Sequence, residues 1–328
     1  MVTAMEKKMQ VPGLSTLTRK ITPGPVAAEA ATTSAATAAT RQATPAMAAE
    51  RAAAGKAAPA GLEGAHAFAD TSAARAGADK SGTRISDSGL NLGNPSTVNH
   101  HNSLNLMSVC KDAYGIEKDA TLVKPTHTEY QRSVGHTQFM VREYADHSVI
   151  TYGGSKEWQD WGHDANVVKT PYKDMGWVHK GFSSAYDELL PEQNKVLNKN
   201  KPVVVTGHSL GGATATVAAA DLKKRGYDVH SLTTFGCPMV GGDSFSAAFN
   251  KANIPAFRYV NAWDVVPRVP KGDFQHVGQS FFLSTRGEML PKQQSGWELA
   301  TKPWELANQR VNSHHMDNYM ANLQKYLS

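Results

Sequence analysis

The sequence predicts an α/β fold, a mostly parallel central sheet with helices on both faces. Three observations predict it. From about Pro95 onward, short runs of β-branched and aromatic residues alternate with helical patterns about 10–15 residues long, the rhythm of strand–helix–strand crossovers. One run, Val203-Val204-Val205, is apolar at every position, as a strand covered on both faces is. That run passes through Gly207 directly into a small-residue helical pattern beginning at Leu210.

The chain divides by composition. Between Ile21 and Ile85 the large apolar residues are Val26, Met47, Leu62 and Phe68, and the rest is mainly Ala, Thr, Ser, Gly and Pro. Ordering a backbone costs roughly 1–2 kcal/mol per residue, which so little apolar surface does not offset. Residues 1–94 are therefore read as a disordered leader or linker, and residues 95–328 as one folded domain of ordinary α/β size. The N-terminal stretch MVTAMEKKMQVPGLSTLTRK has no apolar core of a secretory signal, and no run approaches the 18 apolar residues of a membrane span. The leader composition fits an organelle transit peptide, the unstructured leader of a bacterial effector exported by a specialised route, or a plain linker. The expected location is cytoplasmic unless such a route applies.

The formal net charge of +5 is spread along the chain, with no Lys/Arg stripe interleaved with aromatics. Nucleic acid is not an expected partner, while weak attraction to an anionic membrane surface is. Cys110 and Cys237 lie outside any C-x-x-C pair and are read as reduced thiols. No H-E-x-x-H occurs, so neither a metal nor another cofactor is expected.

In order along the domain, SLNLMSVCKDAYG reads as a helix ended by Gly115. TQFMVREY and SVITYGG read as strands joined by a hairpin at Ala145–His147. GFSSAYDELL opens a helix that Pro191 should interrupt or end. KPVVVTG is the buried strand, LGGATATVAAADLKKRG a helix capped by Gly226, VHSLTTFG a strand, and SFSAAFN a helix with Asp243 as its N-cap. AFRYVN and SFFLS are further strands. MDNYMANLQKYL is the closing helix, with Met316, Tyr319, Met320, Leu323, Tyr326 and Leu327 on one face.

The junction TGHSLGGA places Ser209 inside a G-x-S-x-G pattern between a buried strand and a helix. That is the context in which a tight turn lifts a serine hydroxyl to the top of a sheet over a helix N-terminus. With this string the chain resembles the class 3 lipases, an α/β-hydrolase family of triacylglycerol lipases, phospholipases A1 and feruloyl esterases, in a bacterial-type form. VHKGF (Val178–Phe182), TFGCPMVG (Thr234–Gly241), RYVNAWDVVPRVP (Arg258–Pro270) and QHVG (Gln275–Gly278) are similar to further family motifs in the same order. The resemblance covers roughly Asn105 to Tyr326. It implies an α/β-hydrolase fold and hydrolysis of carboxylic esters of lipids.

A serine hydroxyl needs a neutral imidazole to take its proton, and a carboxylate to fix that imidazole's tautomer. In this hydrolase order the acid follows the serine and the histidine comes last. The chain offers Ser209, then Asp264 just past AFRYVN, then His314 or His315. The alternative for Asp264 is a loop aspartate capping its own turn. Between the histidines, the apolar stripe of the last helix puts His315 at its edge and leaves His314 in a loop ahead of it. Many bacterial and plant relatives look like H-x-M-x-x-Y, which His314 matches five residues before Tyr319. His314 is therefore the expected base, and His315 the alternative. His208 is expected to point away from the Ser209 hydroxyl. His179 and His276 read as buried imidazoles bonded to backbone.

For the oxyanion, the backbone N–H of Leu210, the residue after the nucleophile, is one expected donor. The resemblance assigns Ser155 as the second, although Gly153 stands where the family usually has arginine. The segment 156–163 falls where the family has its lid, with Trp158 and Trp161 three apart on one face if helical. The expected partners are a lipid or ester substrate and a membrane or lipid-droplet surface. The sequence leaves oligomeric state open. Two other readings remain: an esterase for polar substrates, and an inactive lipase-fold binding or effector protein.

Overall fold

A computed structural model of the chain describes residues 88–154, 168–293 and 303–328, with side chains in the last stretch from Asn308. Helix α1 (His100–Ala113) precedes strands β1 (Ala120–Val123), β2 (Thr128–Val134), β3 (Thr137–Glu143) and β4 (Ser148–Tyr152). Strands β5 (Lys169–Pro171) and β6 (Trp177–His179) form a separate ribbon ahead of α2 (Lys180–Val196). Then follow β7 (Val203–His208), α3 (Leu210–Lys224), β8 (Val229–Phe235), α4 (Asp243–Lys251) and β9 (Ala256–Asn261). The chain continues through β10 (Gln279–Leu283), β11 (Met289–Leu290), α5 (Pro303–His314) and α6 (Met316–Leu327).

Among the described residues the main sheet runs in the order β1-β2-β3-β4-β7-β8-β9-β10-β11. Its centre, β4-β7-β8-β9-β10, is parallel. Antiparallel pairs flank it on both sides. The chain thus folds as an α/β-hydrolase, with the parallel strands where the sequence is most continuously apolar. All six residues of β7 are buried. Its alternate side chains feed two cores. Val203 and Val205 pack with residues of α2, α3 and α4, and Val204 packs on the other face with Met107 of α1 and Tyr319 and Leu323 of α6. Each fully buried valine contributes roughly 1.5–3 kcal/mol. The second core also takes in Leu90, so the packed unit includes residues ahead of 95.

Several local expectations are corrected. Helix α2 continues through Pro191 to Val196. Pro191 is exposed, so the carbonyl whose partner it removes faces the solvent side, where water can satisfy it. The N-cap of α4 is Gly242, and Asp243 lies in the first turn, where its charge still meets the positive helix end. Strands β1 and β2 have no sequence signal: ATLV is mostly exposed and TEYQRSV alternates weakly, so neither carries a clear period. Cys110 and Cys237 are free thiols buried on opposite faces of the sheet.

Two histidines, the buried His100 and the half-buried His276, make the fold acid-sensitive. His100 sits edge-on to Tyr259, Phe281 and Tyr326, and burial, then the charge of His101, pulls it down to about 4. His276 donates from Nε2 to the Pro267 carbonyl at 2.7 Å, and burial, then Arg258, pulls it down to about 3. Both are neutral in the fold. Below about pH 6.5 the unfolded chain takes up protons that the folded chain refuses, so stability falls with falling pH by about 1.4 kcal/mol per pH unit for each group. The thermal midpoint should drop steadily between about pH 6.5 and about pH 4.5. In His276→Gln, which keeps the donor, calorimetry should show a shallower drop.

Candidate active site

The strand register brings the site's supports to one end of the central strands. His208 at the end of β7 lies opposite Phe235 of β8, which lies opposite Tyr259 of β9. One residue on, Ser209 has φ 59° and ψ −129°. A non-glycine residue held there costs on the order of 1–3 kcal/mol and persists only where its surroundings enforce it. The enforcement is visible in the backbone. Ser209 N–H donates to the Phe235 carbonyl at 2.9 Å, extending the ladder past the strand end. A Cβ on Gly207 would collide with the Gly211 carbonyl, and one on Gly211 with the Tyr152 carbonyl. The glycines flanking Ser209 are therefore what let β7 and α3 approach this closely.

The structure brings Ser209, His314 and Asp264 into one buried row. The Ser209 Oγ lies 2.8 Å from His314 Nε2, and His314 Nδ1 lies 2.9 Å from Asp264 Oδ2. A carboxylate accepts, so Nδ1 carries the hydrogen and Nε2 is left to accept from the serine hydroxyl. Asp264 is fully buried, and its charge is met by further donors. Val266 N–H donates to Oδ1 at 2.9 Å, and the Tyr319 hydroxyl donates to Oδ2 at 2.6 Å. One carboxylate thus both caps its own turn and faces the imidazole. Gly236 lies against this pair: a Cβ there would sit 3.0 Å from Asp264 Oδ2 and from His314 Cε1.

His314 is not in a loop. It is the last residue of α5, and His315 is an exposed, extended N-cap residue between α5 and α6. The tract before it, PWELANQRVNS, lacks a regular apolar stripe, which is why a helix there has no sequence signal. Leu210 is the first residue of α3, so its N–H is among those left without an intrahelical acceptor. Ser155, Trp158 and Trp161 lie outside the described residues. His179 caps α2, its Nδ1 accepting from Gly181 N–H at 3.2 Å.

Two neighbours have functional positions that the sequence does not signal. In the sequence Tyr319 is a residue of the last helix's apolar face and a spacing marker for His314, and His208 is a histidine expected to point away from the serine hydroxyl. Tyr319 is buried, and burial followed by the Asp264 charge holds its phenol well above the ordinary range, so it stays a donor. A hydrogen bond to a charged group contributes about 1.5–3 kcal/mol. Tyr319→Phe should lower kcat by about tenfold and leave KM nearly unchanged, as measured on a soluble chromogenic ester. A kcat equal to wild type would show that the third donor is dispensable.

Residues 149–274 match the family described as Lipase (class 3). The match holds Ser209 and Asp264 and ends before His314. Phospholipase A1-II 3 of Oryza sativa subsp. japonica is 29% identical over 187 residues, covering 45% of this chain and 44% of its own length. A lipase of Rhizomucor miehei is 36% identical over 149 residues, covering 41% of each chain. Secreted mono- and diacylglycerol lipase 1 of Fusarium solani is 39% identical over 179 residues, covering 51% of this chain and 53% of its own. The chain spans about half the length of the curated relatives it matches. These relatives are plant and fungal and lend no support to a bacterial type. The stretch from 149 to 274, which carries the serine turn and the buried carboxylate, is thus the part of the chain that is similar to the class 3 lipases.

Proposed function

We propose that this chain is a serine carboxylic-ester hydrolase acting on lipids. The observation that carries the reading is the buried row Ser209–His314–Asp264, with hydrogen bonds of 2.8 and 2.9 Å in series. In this reading Ser209 Oγ attacks the ester carbonyl as His314 Nε2 takes its proton. Asp264 stabilises the resulting imidazolium. The Leu210 N–H, and in the family's pattern Ser155, hold the oxyanion. Collapse expels the alcohol, which takes the proton back from His314, and leaves an acyl group on Ser209. Water, activated by His314 in the same way, then releases the fatty acid. No metal or cofactor enters any step.

Names among the relatives support both a phospholipase A1 and an acylglycerol lipase. The spread positive charge favours an anionic lipid surface modestly. The catalytic unit is the stretch read as residues 95–328 together with the residues just ahead of it that pack on the same core, Leu90 among them, and the composition-poor stretch before them is its leader or linker. A bacterial-type assignment rests only on the spacing of His314 from Tyr319.

Release of the carboxylic acid by the full chain, as fatty acid from a triacylglycerol emulsion and from phosphatidylcholine vesicles and as ferulic acid from a feruloyl ester, tests the reading. Release from one or both lipid substrates is expected, and their ratio separates lipase from phospholipase. Turnover of the feruloyl ester alone would favour an esterase for polar substrates. No turnover of any of them would favour an inactive binding protein.

A further inference from the structure

His208, the residue before the serine, is buried with both ring nitrogens engaged. Nε2 lies 2.8 Å from the carbonyl oxygen of His314, and Nδ1 lies 2.6 Å from the Tyr114 hydroxyl. A carbonyl only accepts, so Nε2 carries a hydrogen and donates it. Burial, then the charge of His314, holds the His208 imidazole well below its ordinary range. It is neutral, so Nδ1 keeps a lone pair and accepts from Tyr114. Burial pushes the Tyr114 phenol up, so that group retains its proton.

The His314 carbonyl is one of the terminal carbonyls of α5, which have no partner within their helix. Side chains take up three of them in succession. Asn318 Nδ2 donates to the Asn312 carbonyl at 2.6 Å, and Asn261 Nδ2 to the Ser313 carbonyl at 2.9 Å. His208 donates to the third. Its ring also lies against the His314 ring, with centroids 4.6 Å apart and planes tilted by 32°. His208 thus touches His314 twice, at the main chain and at the ring, while none of its atoms takes part in the Ser209–His314–Asp264 row. A Cβ on Gly154 would collide with the Tyr114 hydroxyl, so the strand end leading to residue 155 also packs on this phenol.

The geometry points to His208 and Tyr114 as positioning residues for the base: Tyr114 fixes the tautomer of His208, and His208 holds the main chain and ring of His314 in line with Ser209 Oγ. This rests on the reading of Ser209, His314 and Asp264 as an ester-hydrolysing row. A displacement of about 1 Å at a reacting group costs about 10²-fold in rate. Removing His208 frees both the carbonyl and one side of the imidazole. Glutamine places an amide N–H where Nε2 stood and restores the carbonyl tie without the ring.

The test uses the full chain as wild type, His208→Ala, His208→Gln, Tyr114→Phe and Ser209→Ala, with steady-state kinetics on a soluble chromogenic butyrate ester. His208→Ala should lower kcat by roughly 10²-fold with KM within about twofold, and His208→Gln should recover about tenfold of that loss. Tyr114→Phe should lower kcat by about threefold to tenfold. An unchanged kcat in His208→Ala overturns the proposal, as does equal loss in the alanine and glutamine variants or a loss that appears in KM instead. If His208→Ala fails to fold, Tyr114→Phe decides, and a wild-type kcat there overturns it. Ser209→Ala separates the two levels. If it is inactive, only the positioning roles are at stake. If it is as active as wild type, the row itself is wrong and this proposal falls with it.

Discussion

Ser209→Ala lowers kcat on a soluble chromogenic ester by about 10⁶-fold while the chain stays folded. The size follows from what remains. Without the hydroxyl no acyl-enzyme forms, and His314 has nothing to deprotonate except water held at the wrong distance. Oxyanion donors and binding alone leave about 10³–10⁴ over the uncatalysed rate. Stability should move the other way. Ser209 holds a left-handed backbone at φ 59°, so Ser209→Gly should relieve strain and raise the thermal midpoint, at about the same cost in kcat as alanine. Calorimetry and kinetics on the same preparation check both. A midpoint lower in the glycine variant than in wild type would contradict the strain argument.

The adjacent histidines should behave as opposites. His314→Ala loses the base that lies 2.8 Å from Ser209 Oγ and leaves the buried Asp264 carboxylate without one of its donors. The kcat should again fall by about 10⁶-fold, and the thermal midpoint should drop as well, because a buried charge short of a partner is costly. His315→Ala removes an exposed side chain that makes no cap hydrogen bond to α6. Its kcat should stay within about twofold of wild type, in line with the small effects of surface substitutions. Equal losses in the two variants would mean that His314 is not the imidazole that serves Ser209 in solution.

Much of this site is legible in the sequence because its chemistry forces local pattern. A serine on a tight strand-to-helix turn needs small residues beside it, and Gly207 and Gly211 mark that turn in the sequence itself. The carboxylate is legible because it follows a strand end by a fixed, short interval. Helical phase and spacing favour His314 over His315, although a loop position is not the physical reason. His314 does lie off the stripe of α6, but as the last residue of another helix, whose irregular apolar pattern hides it. What is not legible is what depends on contacts between distant segments. Tyr319 reaches Asp264 across 55 residues of chain, and Tyr114 reaches His208 across 94. Neither bond leaves a periodic trace in the sequence. Edge strand β1 and its neighbour β2 are hidden for a related reason: both bury little, so their patterns carry little information.

The most direct test of the pairing of Ser209 with His314 is covalent labelling of the full chain by a fluorophosphonate, followed by peptide mass mapping. A single phosphonyl adduct is expected on the peptide that bears Ser209. It should be absent in Ser209→Ala, formed at the wild-type rate in His315→Ala, and slowed by orders of magnitude in His314→Ala. No adduct, an adduct on another residue, or wild-type labelling in His314→Ala would contradict it.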